Sequence, residues 1–148
     1  MISERHNNIP ASYLTLIKDN RILLLRRFQT GYEDGNYSMI AGHVEKGESF
    51  MQCVIREAKE EAGIIIKKAD LEVAHVMHRS SNNSDSNERV DVFFVAKDWK
   101  GEIINKEPQK CDNLAWFDFD NLPSNIIPYV KQAIEQIKSN ISYSEYGW

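Results

Sequence analysis

Glu57, Glu60 and Glu61 stand at i, i+3 and i+4 within the run Arg56-Glu57-Ala58-Lys59-Glu60-Glu61-Ala62-Gly63-Ile64. On a helix that spacing gathers the carboxylates on one face. Like charges so placed repel and would weaken an isolated helix. A divalent cation removes the repulsion, and hard oxygen donors of this kind suit Mg²⁺ or Mn²⁺. Arg56 precedes Glu60 by four residues, so its guanidinium can orient that carboxylate and offset part of the charge. Upstream, five residues separate Gly42 from Glu48, and seven separate Glu48 from Arg56.

The elements that must position these groups are legible around them. Ser49 followed by Gln52 fits a capping box, in which hydroxyl and amide satisfy the first free backbone N–H groups of a helix. Phe50, Val54 and Ala58 recur every four residues and supply an apolar stripe beside the carboxylates. Gly63 sits where helices commonly end in a left-handed residue. The stretch therefore predicts loop, helix, loop.

From Gly42 to Ile64 the chain resembles the Nudix box, G-x5-E-x7-R-E-U-x-E-E-x-G-U with U a bulky aliphatic; Ala58 is the one small departure. The resemblance implies Mg²⁺-dependent hydrolysis, with Mn²⁺ an alternative, of a nucleoside diphosphate linked to another moiety. By matching positions it makes Glu57 and Glu61 metal ligands and Glu60 a ligand or the general base. The Ala41 backbone carbonyl becomes a further ligand. Glu48 braces the loop, Arg56 orients a glutamate, and Gly42 and Gly63 serve backbone geometry. Some family members carry the base outside the box, which keeps Glu88 and Glu107 open. A diphosphate repels hydroxide; bound metal neutralises it, polarises a P–O bond and lowers the pKa of a coordinated water.

Glu107-Pro108-Gln109-Lys110-Cys111, with Trp116 beyond, resembles an E-P-x-K-C…W segment of Nudix enzymes acting on nucleoside triphosphates. A proline-stopped turn with a solvated lysine is the plainer reading. Arg26-Arg27 at a strand end could fork a phosphate or be solvated edge charges. His43, His75 and His78 are isolated and are left out of catalysis; Phe28, Tyr37 and Trp116 read as core before base-stacking partners. Residues 64–107 contain neither the proline of ADP-ribose-type relatives nor the tyrosine of dinucleoside-polyphosphate relatives, and the upstream motif of coenzyme A members is not met. The favoured reaction is a (deoxy)nucleoside triphosphate giving monophosphate and pyrophosphate. The alternatives are a nucleotide-sugar or other non-nucleotide diphosphate hydrolase, or a non-catalytic nucleotide-sensing module.

The whole chain sets the frame. Its 148 residues suit one domain, with residues 1–10 a loose arm and residues 141–148 an aromatic tail that packs on the core or a partner. A net charge of −4 argues against a nucleic-acid polymer or an anionic membrane as partner, and no signal or spanning run is evident. A small-molecule nucleotide or diphosphate substrate is expected, and a homodimer is left open by the resemblance. Cys53 and Cys111 are too few for a disulfide framework and read as reduced thiols of a cytoplasmic protein. Tyr13–Ile17 and Ile22–Leu25 read as a hairpin, with a short strand near Tyr37–Ile40. Strands follow at Leu71–His78, Arg89–Ala96, Glu102–Ile104 and Leu114–Phe117, with a mobile loop over Ser80–Asn87. Val130, Ile134 and Ile137 mark a last helix. The sum is an α/β (α+β) sandwich with a mixed sheet between helices, the architecture the Nudix resemblance also implies.

Overall fold

The computed structural model describes residues 5–81 and 87–148. A five-stranded mixed sheet runs in the order β5 (Ile40–His43), β1 (Asn8–Thr15), β7 (Glu88–Ala96), β6 (Leu71–Arg79), β9 (Tyr143–Tyr146). A second sheet joins β2 (Ile17–Lys18), β3 (Arg21–Arg27) and β4 (Tyr37–Ser38), with β8 (Cys111–Asp118) also on β3. Helix α1 (Phe50–Ala62) covers one side and α2 (Pro128–Lys138) the other.

The larger sheet is apolar on both faces because each face meets a helix. Along β1, Leu14 belongs to the core that includes Val54, Ala58 and Ala62 of α1, whereas Ala11 and Tyr13 belong to the core that includes Val130, Ala133 and Ile134 of α2. β7 alternates in the same way, with Val92, Phe94 and Ala96 toward α1 and Phe93 toward α2. The sandwich expected from sequence is present.

Helix α1 starts and stops as its local sequence dictates. The Ser49 hydroxyl accepts from Gln52 N–H at 3.1 Å, and Ser49 N–H donates to Gln52 Oε1 at 2.8 Å. Gly63 ends the helix at φ 70°, and its N–H returns to the last turn. In α2, Pro128 occupies the first turn, where its missing N–H costs nothing; Val130 and Ile134 are buried and Ile137 packs at the margin.

Only Ile17-Lys18 hairpins with Arg21-Ile22; Tyr13–Thr15 instead lie in β1, in parallel register with Phe93–Val95. The chain changes sheets at Leu16, a switch that apolar runs cannot reveal because both sheets demand the same residues. Glu102–Ile104 forms no strand; the pairing there is a bridge between Ile65 and Lys100. Residues 8–10 of the expected loose arm are strand, while residues 1–4 lie outside the described residues. Most of the loop expected over Ser80–Asn87 likewise lies outside them. The aromatic tail folds back as β9, parallel to β6.

His75, fully buried, explains that last pairing: its ring nitrogens meet Ile141 O and Ser144 Oγ, each at 2.7 Å. Cys53 and Cys111 are buried free thiols. No helix among the described residues is long and apolar enough to cross a membrane.

Candidate active site

The carboxylates meet the edge of β5. A side chain at Gly42 would place its Cβ 2.1 Å from Glu57 Oε1, so only glycine leaves room for the Glu57 carboxylate where it stands. One residue earlier, Ala41 N–H donates to Glu61 Oε2 at 3.0 Å. Within a strand, a residue's N–H and C=O point to the same side. The Ala41 carbonyl therefore also points off the free edge of β5 toward the helix.

Arg56 is the hub of the network. Nε and Nη2 fork Glu48 at 2.7 and 3.0 Å, Nη1 reaches Glu57 Oε1 at 2.7 Å and Glu60 Oε2 at 3.3 Å, and Nη2 also reaches His43 O at 3.3 Å. The i,i+4 contact with Glu60 expected from spacing is thus the weakest of its carboxylate hydrogen bonds. Glu48 takes the fork because planar bidentate geometry outweighs a lateral helix contact. Its Oε1 also accepts from Glu45 N–H at 3.1 Å, closing the loop before the helix. The guanidinium holds Glu48 well below the usual carboxylate range, at about 2.

Ala41, Gly42, Glu57, Glu60 and Glu61 line a cavity of about 500 Å³ together with Arg27, His43, Glu107 and Lys110, while Arg56 and Glu48 stand behind the wall. Burial pushes the Glu61 carboxyl well up, and the neighbouring charges of Glu57 and Glu107 push further, against the Ala41 N–H. Burial raises Glu57 as well, with Arg56 opposing. Glu60 is half-exposed.

Among the described residues no three acidic, histidine or cysteine side chains already form a cage for a cation. Glu57 has one oxygen on Arg56 and Glu61 has one on Ala41. The donor set still fits a hard divalent ion. Several carboxylates crowd one cavity, and their mutual repulsion is what such a charge relieves. Mg²⁺ characteristically keeps several waters and takes only one or two carboxylates.

Other expected residues divide. Arg27 lines the cavity, braced by Tyr32 O at 2.6 Å and Thr30 Oγ1 at 3.1 Å. Arg26, on the opposite face of β3 by simple alternation, pairs instead with Asp112 at 2.7 Å. Glu107 and Lys110 enter the cavity, 3.8 Å apart. Glu88 does not; it meets His6 at 2.9 Å and His78 at 3.6 Å. Tyr37 packs edge-on against Phe117, and Trp116 stacks with Trp99. Gln29, Thr30 and His43 also line the cavity, and the motif pattern fixes none of the three. The position of His43 directly after Gly42 was the available signal.

This fold, with an acidic helix closed against a glycine on an edge strand, defines a class. The NUDIX domain model matches residues 8–138, and the chain belongs to that family. Among curated relatives, the NAD-capped RNA hydrolase NudC of Pseudomonas aeruginosa (strain LESB58) is 33% identical over 114 residues, 77% of this chain and 37% of the relative. NudC of Stutzerimonas stutzeri is 31% identical over 121 residues, 82% of this chain and 41% of the relative. The chain thus spans well under half the length of these relatives. Among solved structures, the MutT NUDIX hydrolase of Burkholderia pseudomallei superposes with a TM-score of 0.79 at 26% identity, covering 88% of this chain and 98% of that one. A MutT protein from Methanosarcina mazei shares the fold, with a TM-score of 0.76 at 18% identity and coverage of 93% and 97%.

Proposed function

We propose that this protein hydrolyses a phosphoric anhydride in a nucleoside diphosphate-linked small molecule, with Mg²⁺ as its working ion. The observation that carries the reading is the convergence of Glu57, Glu60, Glu61 and Glu107 on one cavity that also holds Arg27 and Lys110. Carboxylates alone would exclude a diphosphate, so the cavity makes sense only with a cation between protein and substrate. The ion, when bound, neutralises the diphosphate and lowers the pKa of a coordinated water.

Glu57, Glu61 and the Ala41 carbonyl are the groups to hold it. Glu61 has its orientation set by Ala41 N–H, and Glu57 by Arg56. Glu60, engaged among the described residues only by the 3.3 Å contact, can swing to complete the set or take the proton from water at a carboxylate oxygen. Arg27 and Lys110 bind phosphoryl oxygens from the other side of the cavity. Arg56 and Glu48 position the acidic face without touching substrate.

Two substrate readings follow. A nucleoside triphosphate yielding monophosphate and pyrophosphate is supported by the Glu107–Cys111 segment, whose Glu107 and Lys110 enter the cavity, and by likeness to the MutT NUDIX hydrolase of Burkholderia pseudomallei, matched over nearly its whole length. A dinucleotide diphosphate of the NAD type is supported by the NudC relatives, whose names give NAD-capped RNA as their substrate. A product-resolved hydrolysis panel separates them. It contains normal and oxidised nucleoside triphosphates, NAD, an NAD-capped oligonucleotide, ADP-ribose and nucleotide sugars, each with Mg²⁺ and with chelator. Metal-dependent cleavage within a diphosphate supports the proposal. Absence of turnover across the panel, with the fold intact, would sink it in favour of a nucleotide-sensing module.

A further inference from the structure

Across β5 from the carboxylates lies a second cavity, of about 350 Å³, sharing Arg27, Ala41, Gly42 and His43 with the first. Its floor is the face of the larger sheet turned toward α2. Ala11, Asp91 and Met77 are register partners across β1, β7 and β6, and two residues along Arg79 lies opposite Arg89. Tyr13 from β1, Tyr32 from the loop after β3 and Tyr129 from α2 complete the walls.

The two cavities have opposite chemistry. The first holds four glutamates. In the second, no Asp or Glu is among the described lining residues, and every polar side chain there is an arginine, tyrosine, serine or histidine able to donate. Arg79 is 11% exposed, donates through Nε to the buried Asp91, and stacks its guanidinium 3.8 Å from the Tyr129 ring centroid. That Nε–H is its one hydrogen bond among the described residues, so the terminal Nη groups remain for a ligand on the cavity wall. Asp91 and Tyr129 fix the plane of the fork before anything binds. Burial lifts the Tyr13 and Tyr129 phenols above their ordinary range, so both stay uncharged beside the guanidinium, and the Tyr129 hydroxyl lies 3.4 Å from that of Tyr32.

A site whose described lining carries several donors and no carboxylate, with a pre-oriented guanidinium, matches a group presenting several acceptor oxygens. The diphosphate itself belongs with the carboxylates and their cation, on the other side of the Ala41–His43 ridge. We propose that the second cavity binds a phosphoryl group carried by the organic moiety of the substrate, remote from the hydrolysed diphosphate, and so selects substrates bearing that extra phosphate. The inference rests on the hydrolase reading for what the ligand is, but its test requires no turnover.

Equilibrium binding is measured calorimetrically for AMP, adenosine 2′,5′-bisphosphate and adenosine 3′,5′-bisphosphate, none of which contains an anhydride, and for inorganic phosphate. At least one bisphosphate is expected to bind about tenfold tighter than AMP or better. That gain is expected to fall to within about twofold in Arg79→Gln/Asp91→Asn, which removes both buried charges together, and to shrink in Tyr129→Leu, which removes the ring that holds the guanidinium plane. Thermal melting of each variant establishes that it is folded. Equal affinity for AMP and both bisphosphates overturns the proposal, as does a gain that survives in folded variants. Binding of inorganic phosphate that these variants abolish, without any bisphosphate gain, would mean a free-anion site and also overturns it. Failure of the hydrolysis panel leaves this comparison readable, so the two proposals fall separately.

Discussion

Gly42 and Glu57 occupy space that no side chain could share: a Cβ on residue 42 would lie 2.1 Å from Glu57 Oε1 and 2.4 Å from its Cδ. The glycine is therefore required for the fit of strand to carboxylate, and not for a left-handed backbone.

Gly42→Ala should push Glu57 off Arg56 and out of line with Glu61. A displacement of roughly an ångström at such a site costs on the order of 10²-fold in turnover. The variant should keep its fold, since Glu57 can swing into the cavity. Steady-state kinetics beside a melting curve checks this; unchanged kcat/KM would show that the close approach has no bearing on function.

Glu48 ties the loop to Arg56, and its carboxylate titrates at about 2 in the folded state. A lowered folded pKa stabilises above the ordinary carboxylate range, and that contribution is lost as pH falls through the folded value. Glu48→Gln should lose about 1 kcal/mol at neutral pH, allowing for solvent screening. It should also flatten the acid limb of the stability curve below about pH 4.5. Urea titrations at a series of acid pH values would reveal both.

Glu61 is shifted in the opposite direction. A raised folded pKa contributes stability that is complete below the ordinary glutamate range and disappears as pH rises through the folded value. The metal-free protein should therefore lose stability as pH climbs through that window, and Glu61→Gln should remove the slope. Mg²⁺ should raise the melting temperature of the wild type more at high pH than at low, because its ligands must be deprotonated. Melting curves between about pH 5 and pH 8, with Mg²⁺ or chelator, provide the check. A pH-independent Mg²⁺ effect in both proteins would contradict this account of Glu61.

His75 joins β6 to the tail through Ile141 O and Ser144 Oγ while fully buried. His75→Ala leaves those groups unanswered and should cost about 2–3 kcal/mol. Release of the tail would appear as faster amide exchange over residues 141–146 and earlier proteolytic cleavage there. Retained protection would mean that β9 is held by its backbone ladder alone.

What could be read without a structure was short-range. The capping box, the Gly63 terminus and the three-and-four spacing of the glutamates each involve residues within one or two helical turns, so sequence order and spatial order coincide. Gly42, Glu48 and Arg56 were legible as a pattern, although the fork from Arg56 to Glu48 was not. Spacing favoured Glu60, and only the folded loop brings Glu48 into the guanidinium plane.

Everything resting on long-range pairing was decided by the tertiary structure. Tyr13 and Phe93 stack at 4.5 Å because β1 and β7 run parallel, a pairing that apolar patterning leaves undetermined. Arg26 and Arg27 are chemically alike and adjacent, yet one faces Asp112 and the other the cavity, because β3 turns successive side chains to opposite faces. Arg79, Arg89, Tyr32 and Tyr129 carry no local signal at all. They become a cavity only because β6 and β7 pair in one register and α2 closes over them, whereas the acidic helix was written in the chain because a helix makes its own neighbours.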